Sequence, residues 1–260
     1  MPKAKTLITI GIPIYRDMLY RTRLCFEALV RRLQEQNYGV AWQHLYGVSV
    51  IPKARNIIAE TFMNTSSHYL LFLDADQVFP STIAEELLMM DKDVAGAVYV
   101  SKVPPHYPIV FKRDENKVPR ILLEFPRNEI FEVDGLGTGC MLIKRKVLEA
   151  MKRPYFAMPR NYDLGLTDGE DLDFCFEAQK LGFSIWANPK PSKWVGHIGY
   201  FPFTLEDYDL HRDRAKQYGV TLTGQSLPTE TQEDYMRGYI HRPDPQTTFP
   251  EGEQVESVVG

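Results

Sequence analysis

Two carboxylates one residue apart, Asp74 and Asp76, close the apolar run Tyr69-Leu70-Leu71-Phe72-Leu73. A short, wholly apolar run with polar flanks reads as a strand buried on both faces, as in a parallel sheet. A charge inside such a strand would be costly, so the acids belong at its carboxyl end. That is the edge where open α/β sheets bind their ligands. Alternation along an extended chain sends Asp74 and Asp76 to the same side. Two neighbouring carboxylates repel unless a cation lies between them. The chemistry expected here is a divalent metal site, and oxygen ligands suit Mg2+ or Mn2+.

Three other groups of residues could do chemistry. Ala54-Arg55-Asn56 opens an apolar-periodic segment; an arginine there either pairs bidentately with oxygen atoms of a ligand or lies on an exposed polar helix face. Gly169-Glu170-Asp171-Leu172-Asp173 places three acids at the start of another such segment, where the helix dipole alone would favour them. His197, in Val195-Gly196-His197-Ile198-Gly199, is either a packed residue beside Trp194 or a ligand that the flanking glycines let approach closely. Glycines at 135, 137 and 139 allow backbone amides to approach a ligand, or simply turn the chain into the buried run Cys140 to Ile143.

Strands and helices in alternation must position these groups. Thr6 to Ile12 is β-rich and closed by Pro13, so it reads as the first strand. From Met18 to Gln36 the apolar residues Phe26, Leu29, Val30 and Leu33 follow helical spacing. Val40 to Val50 holds a second strand and its exit loop, and Pro52 suits the first turn of the next helix. That helix has Ala54, Ile57, Ile58 and Phe62 on its apolar face. The acid-tipped strand follows, then a helix with Ile83, Leu87 and Met90, then a strand over Asp93 to Val100. Such alternation implies a parallel sheet between helices, joined by right-handed crossovers. Beyond Ser101 the pieces shorten: strands over Ile109 to Lys112, Arg120 to Phe125 and Ile130 to Val133, and a helix from Lys144 to Met151. A polar loop over Arg160 to Gly169 precedes a helix from Glu170 to Leu181, with Gly182 as its left-handed cap. Ser184 to Ala187 and Trp194 to Ile198 read as short strands. From Gly224 onward the chain is polar and aperiodic.

In this order and spacing, the loop Gly11-Ile12-Pro13-Ile14-Tyr15-Arg16, Ala54-Arg55-Asn56, Asp74-Ala75-Asp76 and Gly169-Glu170-Asp171 with His197 downstream resemble the family 2-like glycosyltransferases of the GT-A fold. The resemblance spans roughly residues 5 to 200. It implies a divalent ion, Mn2+ or Mg2+, bridging the diphosphate of a nucleotide-sugar and neutralising charge as the diphosphate departs. By that resemblance Asp76 is the direct ligand, and Asp74 serves the ribose or a metal-bound water. His197 would be a further metal ligand, which favours Mn2+ modestly. The first loop lies along the nucleobase in that family, assigning Pro13, Tyr15 and Arg16 to nucleoside binding, with Tyr15 able to stack. Arg55 and Asn56 help to hold the nucleoside. Asp171 is the base that accepts the acceptor's proton, and Glu170 is a neighbour that binds acceptor or orients the loop. Gly139, with Asp134, is a donor-side candidate.

Composition bounds the rest. The chain has 260 residues, 44% apolar and 25% charged, with a net charge of -4. It carries no basic stripe, so no nucleic-acid partner is expected. Its three cysteines, Cys25, Cys140 and Cys175, form neither a disulfide framework nor a zinc pattern, which points to a reducing compartment and a cytoplasmic location. The amino-terminal apolar run is too short for a signal peptide, and no run is long enough to span a bilayer; membrane contact would be peripheral.

The expected fold is α/β: a GT-A, mostly parallel central sheet with helices on both faces and a smaller mixed or antiparallel acceptor-side portion. One domain would cover 1–222, its nucleotide half about 1–100 and its acceptor half about 101–222, followed by a flexible tail over 223–260. The partners would be a UDP- or GDP-sugar donor and a carbohydrate or other hydroxyl acceptor. Three alternatives share these residues: a retaining transferase in which Asp171 is not a base, a sugar nucleotidyltransferase, and a non-catalytic binding module. The nucleotidyltransferases' glycine-rich, arginine-containing first loop does not match Gly11-Ile12-Pro13-Ile14-Tyr15. Specificity would lie in loops such as Ser101 to Pro108 and Arg160 to Gly169.

Overall fold

The computed structural model describes residues 5–102, 106–161, 166–167, 169–191, 194–199, 202–206 and 208–209. All belong to the compact unit Met1–Gly224. The tail expected over 223–260 lies outside them, as do parts of the loops 101–108 and 160–169.

In chain order the first part runs β1 (Leu7–Ile14), α1 (Tyr20–Glu35), β2 (Gly39–Tyr46), α2 (Ile51–Met63), β3 (Tyr69–Leu73), β4 (Gln77–Val78), α3 (Ile83–Leu88) and β5 (Val94–Ala97). Shorter pieces follow: β6 (Val110–Arg113), β7 (Pro119–Ile121), β8 (Phe131–Val133), β9 (Gly135–Leu136), β10 (Cys140–Lys144), α4 (Arg145–Ala150), β11 (Arg160–Asn161) and β12 (Leu166–Thr167). The last are α5 (Glu170–Lys180), β13 (Ile185–Asn188), β14 (Gly196–Ile198) and β15 (Pro202–Phe203).

A seven-stranded sheet in the order β2-β1-β3-β10-β5-β13-β8 forms the centre. β1 is parallel to β2 and β3, and β13 is parallel to β5. β10 runs antiparallel between β3 and β5, and β8 antiparallel beside β13. The sheet is therefore mostly parallel, and small antiparallel sheets, β15-β14-β4, β7-β6-β9 and β11-β12, flank it. The chain is a mixed α/β protein of the expected class.

Alternation along β3 splits its side chains between two cores. Leu71 and Leu73 pack with Ile8, Ile10 and Ile12 of β1, Leu29 and Leu33 of α1, and Ile83 and Leu87 of α3. Leu70 and Phe72 face the other layer with Ile58 and Phe62 of α2 and Phe174, Cys175 and Ala178 of α5. Each of these larger side chains contributes about 1.5–3 kcal/mol by leaving water. The two layers hold β3 rigidly and present its carboxyl end to solvent.

Two local expectations are corrected, and a third element runs against its neighbours. β1 does not stop at Ile12; it continues through Pro13, opposite Leu45, to Ile14. Its pairing with β3 has already ended at Gly11, opposite Phe72, so Pro13 has a strand neighbour on one side only, and a proline is tolerated there. The polar loop after Arg160 contains the antiparallel pair β11 and β12. Cys140 to Lys144 is a central strand of the main sheet, inverted with respect to its neighbours. The cap of α5 is as expected: Gly182 has φ +87°, and the Phe183 N–H donates to Ala178 O at 3.2 Å. The three cysteines are free, with Cys140 and Cys175 buried. No described helix is long and apolar enough to cross a membrane.

Candidate active site

The chain leaves β3 at Leu73, and the Asp74 N–H donates to Gly139 O at 3.0 Å. Asp74, Asp76 and His197 each bring one ligand atom into a group whose members lie within 4.8 Å of one another. The histidine reaches the aspartates through the small sheet. β14 runs antiparallel to β4, setting His197 opposite Gln77 and Gly196 opposite Val78. The Ile198 N–H then donates to Asp76 O at 2.8 Å.

His197 Nδ1 lies 2.6 Å from Val100 O. A carbonyl oxygen only accepts, so Nδ1 carries a proton, and in the neutral ring Nε2 is the nitrogen with the lone pair. The Tyr99 ring meets the imidazole edge-on at 5.0 Å and limits its tilt. The Lys102 ammonium pairs with Asp76, so a cation already stands against the acids. Two carboxylates, an imidazole lone pair and a local demand for positive charge make a donor set that fits Mn2+ or Mg2+.

Gly139 is required by space. A Cβ there would come within 2.4 Å of Asp74 Oδ2, 2.6 Å of Gln77 Nε2 and 2.8 Å of the Tyr99 hydroxyl. Its N–H donates to that hydroxyl at 2.9 Å. Burial, reinforced by the charges of Asp74 and Asp171, holds the Tyr99 phenol well above its ordinary pKa, so it stays neutral.

Arg55 joins the Asp74, Asp76 and His197 group to the acids of α5. Its Nη2 donates to Asp74 Oδ1 and its Nε to Glu170 Oε1, both at 3.1 Å. The residue is 4% exposed, not on an open helix face. Burial opposes its charge, but Asp74 and Glu170 outweigh that and hold the guanidinium above its ordinary pKa. Asp171 is half-buried, and its Oδ1 accepts from the Leu172 N–H at 3.0 Å. Burial first, then the charge of Glu170, push its carboxyl up to about 6, against the pull of Arg55. A carboxylate in that range is ionised at neutral pH and basic enough to take a proton. The third acid, Asp173, accepts from the Ala157 N–H at 3.1 Å.

The remaining predicted residues lie apart from this group. Asn56 donates to Pro52 O and Phe156 O at 2.8 and 2.7 Å, and accepts from the N–H groups of Tyr155 and Phe156 at 2.8 and 3.1 Å. These bonds fix the 155–156 segment against α2. Pro13 is buried within β1, whereas Tyr15 and Arg16 are exposed just beyond it, with the guanidinium 5.5 Å from the Tyr15 ring centre. Since β1 and β3 are parallel, both leave the sheet at the edge that carries Asp74. Asp134 is committed elsewhere, accepting from the Arg113 N–H at 2.7 Å.

Gln77, Tyr99 and Lys102 belong to the site but are absent from the sequence reading. Gln77 alone had a signal: alternation puts it on the same side as Phe79, making it a polar residue at a core-facing position.

No family model matches the chain, and no curated protein matches it. Among solved structures, A197 from STIV is 22% identical, covering 74% of this chain and 85% of that one with a TM-score of 0.49. A glycosyltransferase involved in the glycosylation of the major capsid of PBCV-1 is 15% identical, covering 54% and 62%, with a TM-score of 0.31. Residues 1–349 of S. aureus TarS are 13% identical, covering 90% and 70%, with a TM-score of 0.41. Similarity at these levels assigns this chain neither an activity nor a substrate.

Proposed function

We propose that the chain is a metal-dependent glycosyltransferase of the GT-A type. It would move a sugar from a nucleoside-diphosphate sugar to the hydroxyl of a carbohydrate or other acceptor, with inversion. The observation that carries this reading is the Asp74, Asp76 and His197 group, linked through Arg55 to Glu170 beside a carboxyl with a pKa of about 6.

Asp76, Asp74 and His197 Nε2 would hold Mn2+ or Mg2+. When bound, the ion supplies positive charge where a nucleoside diphosphate departs. Four carboxylates against Arg55 and Lys102 leave two negative charges at the site, which a divalent ion balances. Arg55 orients Asp74 and Glu170 together and keeps the metal end and the base end in register. Asp171 accepts the proton of the acceptor hydroxyl. That oxygen bonds to the anomeric carbon on the face opposite the leaving diphosphate, and the carbon–phosphate oxygen bond breaks. Tyr15 and Arg16 would meet the nucleoside, a role that their exposure at the same sheet edge supports. The free state of the three cysteines supports a reducing compartment, the cytoplasm.

Calorimetric titration with UDP and GDP, with and without Mn2+, tests the reading. Nucleotide binding should require the ion, and Asp76→Ala should weaken it at least about tenfold, as loss of a charged metal contact does, while the melting temperature barely moves. Equal affinity with and without Mn2+ would remove the metal centre. NMR of the product should show the inverted anomer; retention would remove the base role of Asp171.

A further inference from the structure

Gln77 follows Asp76 directly and is fully buried. Its Nε2 lies 3.3 Å from His197 Nε2. Because His197 already uses Nδ1–H on Val100 O, this contact is an amide N–H directed at the imidazole lone pair. The same lone pair is the one a metal would need. The other end of the amide, Oε1, is buried and meets no donor among the described residues. A buried carbonyl oxygen without a partner is unfavourable, more so than a satisfied bond is favourable. Gln77 therefore carries an unmet acceptor beside two acids and an imidazole.

A half-turn about the last side-chain torsion exchanges Oε1 and Nε2 with almost no change in shape. After it, the carbonyl oxygen faces the space shared by His197 Nε2, Asp74 and Asp76, and the lone pair is uncovered. We infer that Gln77 is a further ligand arm of the metal centre: its amide covers His197 Nε2 when no ion is bound, and turns to give Oε1 to the ion. This rests on the metal-centre reading above. Neutral carbonyl oxygens are ordinary donors to hard divalent cations. The two-residue β4 has a purpose in this account, since its register opposite β14 holds Gln77 against His197. Gly139 has one as well, because a Cβ at that position would occupy the space of the Gln77 amide.

An ordinary positioning role makes the opposite prediction. If Gln77 only capped the imidazole, removing its amide would free the lone pair, and metal would bind as well or better. The experiment titrates Mn2+ into the full chain without nucleotide and follows the free aqua ion by EPR. Gln77→Leu should weaken Mn2+ binding about 10- to 100-fold, the range for losing a partner at a metal site. Gln77→Glu, which keeps an oxygen and adds a charge, should bind at least as tightly as wild type. Wild-type or higher affinity in Gln77→Leu, with Asp76→Ala still weakened, overturns the inference and leaves the metal centre standing. No Mn2+ uptake by the wild-type chain removes both. If Gln77→Leu loses its cooperative melt, Gln77→Glu decides, and weaker binding than wild type overturns the assignment.

Discussion

Asp171→Asn should cost turnover and raise stability together, in a pH-dependent way. In the folded chain the Asp171 carboxyl is pushed up to about 6, whereas an aspartate in an unfolded chain titrates near 3.9. The folded state therefore holds this proton more tightly. Well below pH 4 both states are protonated, and the group has no effect on stability. As pH rises through the two values, ionisation costs the folded state more than the unfolded one. The gap of about two units is worth about 3 kcal/mol near pH 7.5, of which about 1 kcal/mol is already present near pH 4.5. Asparagine is neutral throughout and still offers an oxygen to the Leu172 N–H, so it escapes this cost. In a domain of this size the expected gain in melting temperature is roughly 6–12 °C near pH 7.5 and only about 2–4 °C near pH 4.5. Calorimetric melts of both proteins in EDTA at the two pH values read this out, and sugar transfer should fall by about 100-fold or more. A variant no more stable than wild type near pH 7.5 would refute the argument that this carboxylate is held against its solvation. A stabilised variant that still turns over would move the base elsewhere.

Arg55→Met should destabilise the fold by about 3–5 kcal/mol in urea titrations at neutral pH, because Asp74 and Glu170 lose their shared counter-charge. Arg55→Lys should recover only part of that, since an ammonium cannot reproduce the fork to both acids; full recovery would mean that charge alone matters. Lys102→Met should tighten Mn2+ binding roughly two- to fivefold, the range of a half-exposed ion pair. EPR titration checks it, and unchanged or weaker binding would rule out competition between the ammonium and the ion.

The parts of the site that could be read from the sequence are those whose signal is local. Asp74 and Asp76 follow an apolar run that can only be a buried strand, so their place at a sheet edge follows at once. The alternation of the first hundred residues likewise gives a parallel sheet between two helical layers. Arg55 is different: helical spacing groups it with the polar residues of α2, and its burial comes from acids 19 and 115 positions away. The direction of β10 is equally hidden, because Cys140 to Ile143 is apolar whichever way it runs. Its inversion depends on how the chain returns through β6 to β9. Asn56 matches a motif by type, yet its bonding is set by Tyr155 and Phe156, about a hundred residues later. Tyr99 joins the site through the His197 ring and the Gly139 N–H, and Lys102 through Asp76, all partners distant in sequence.

The strand that delivers His197 has a bearing on how the protein matures. Gln77 and His197 are 120 positions apart, so a nascent chain still on the ribosome exposes the two aspartates long before their imidazole partner is made. Until then Arg55 beside Asp74 and Lys102 beside Asp76 are the neighbours that answer their charge. If the group holds an ion as proposed, full ligation would wait until the later part of the chain had been synthesised and had docked, and a truncated product ending before β14 would lack the imidazole of the group.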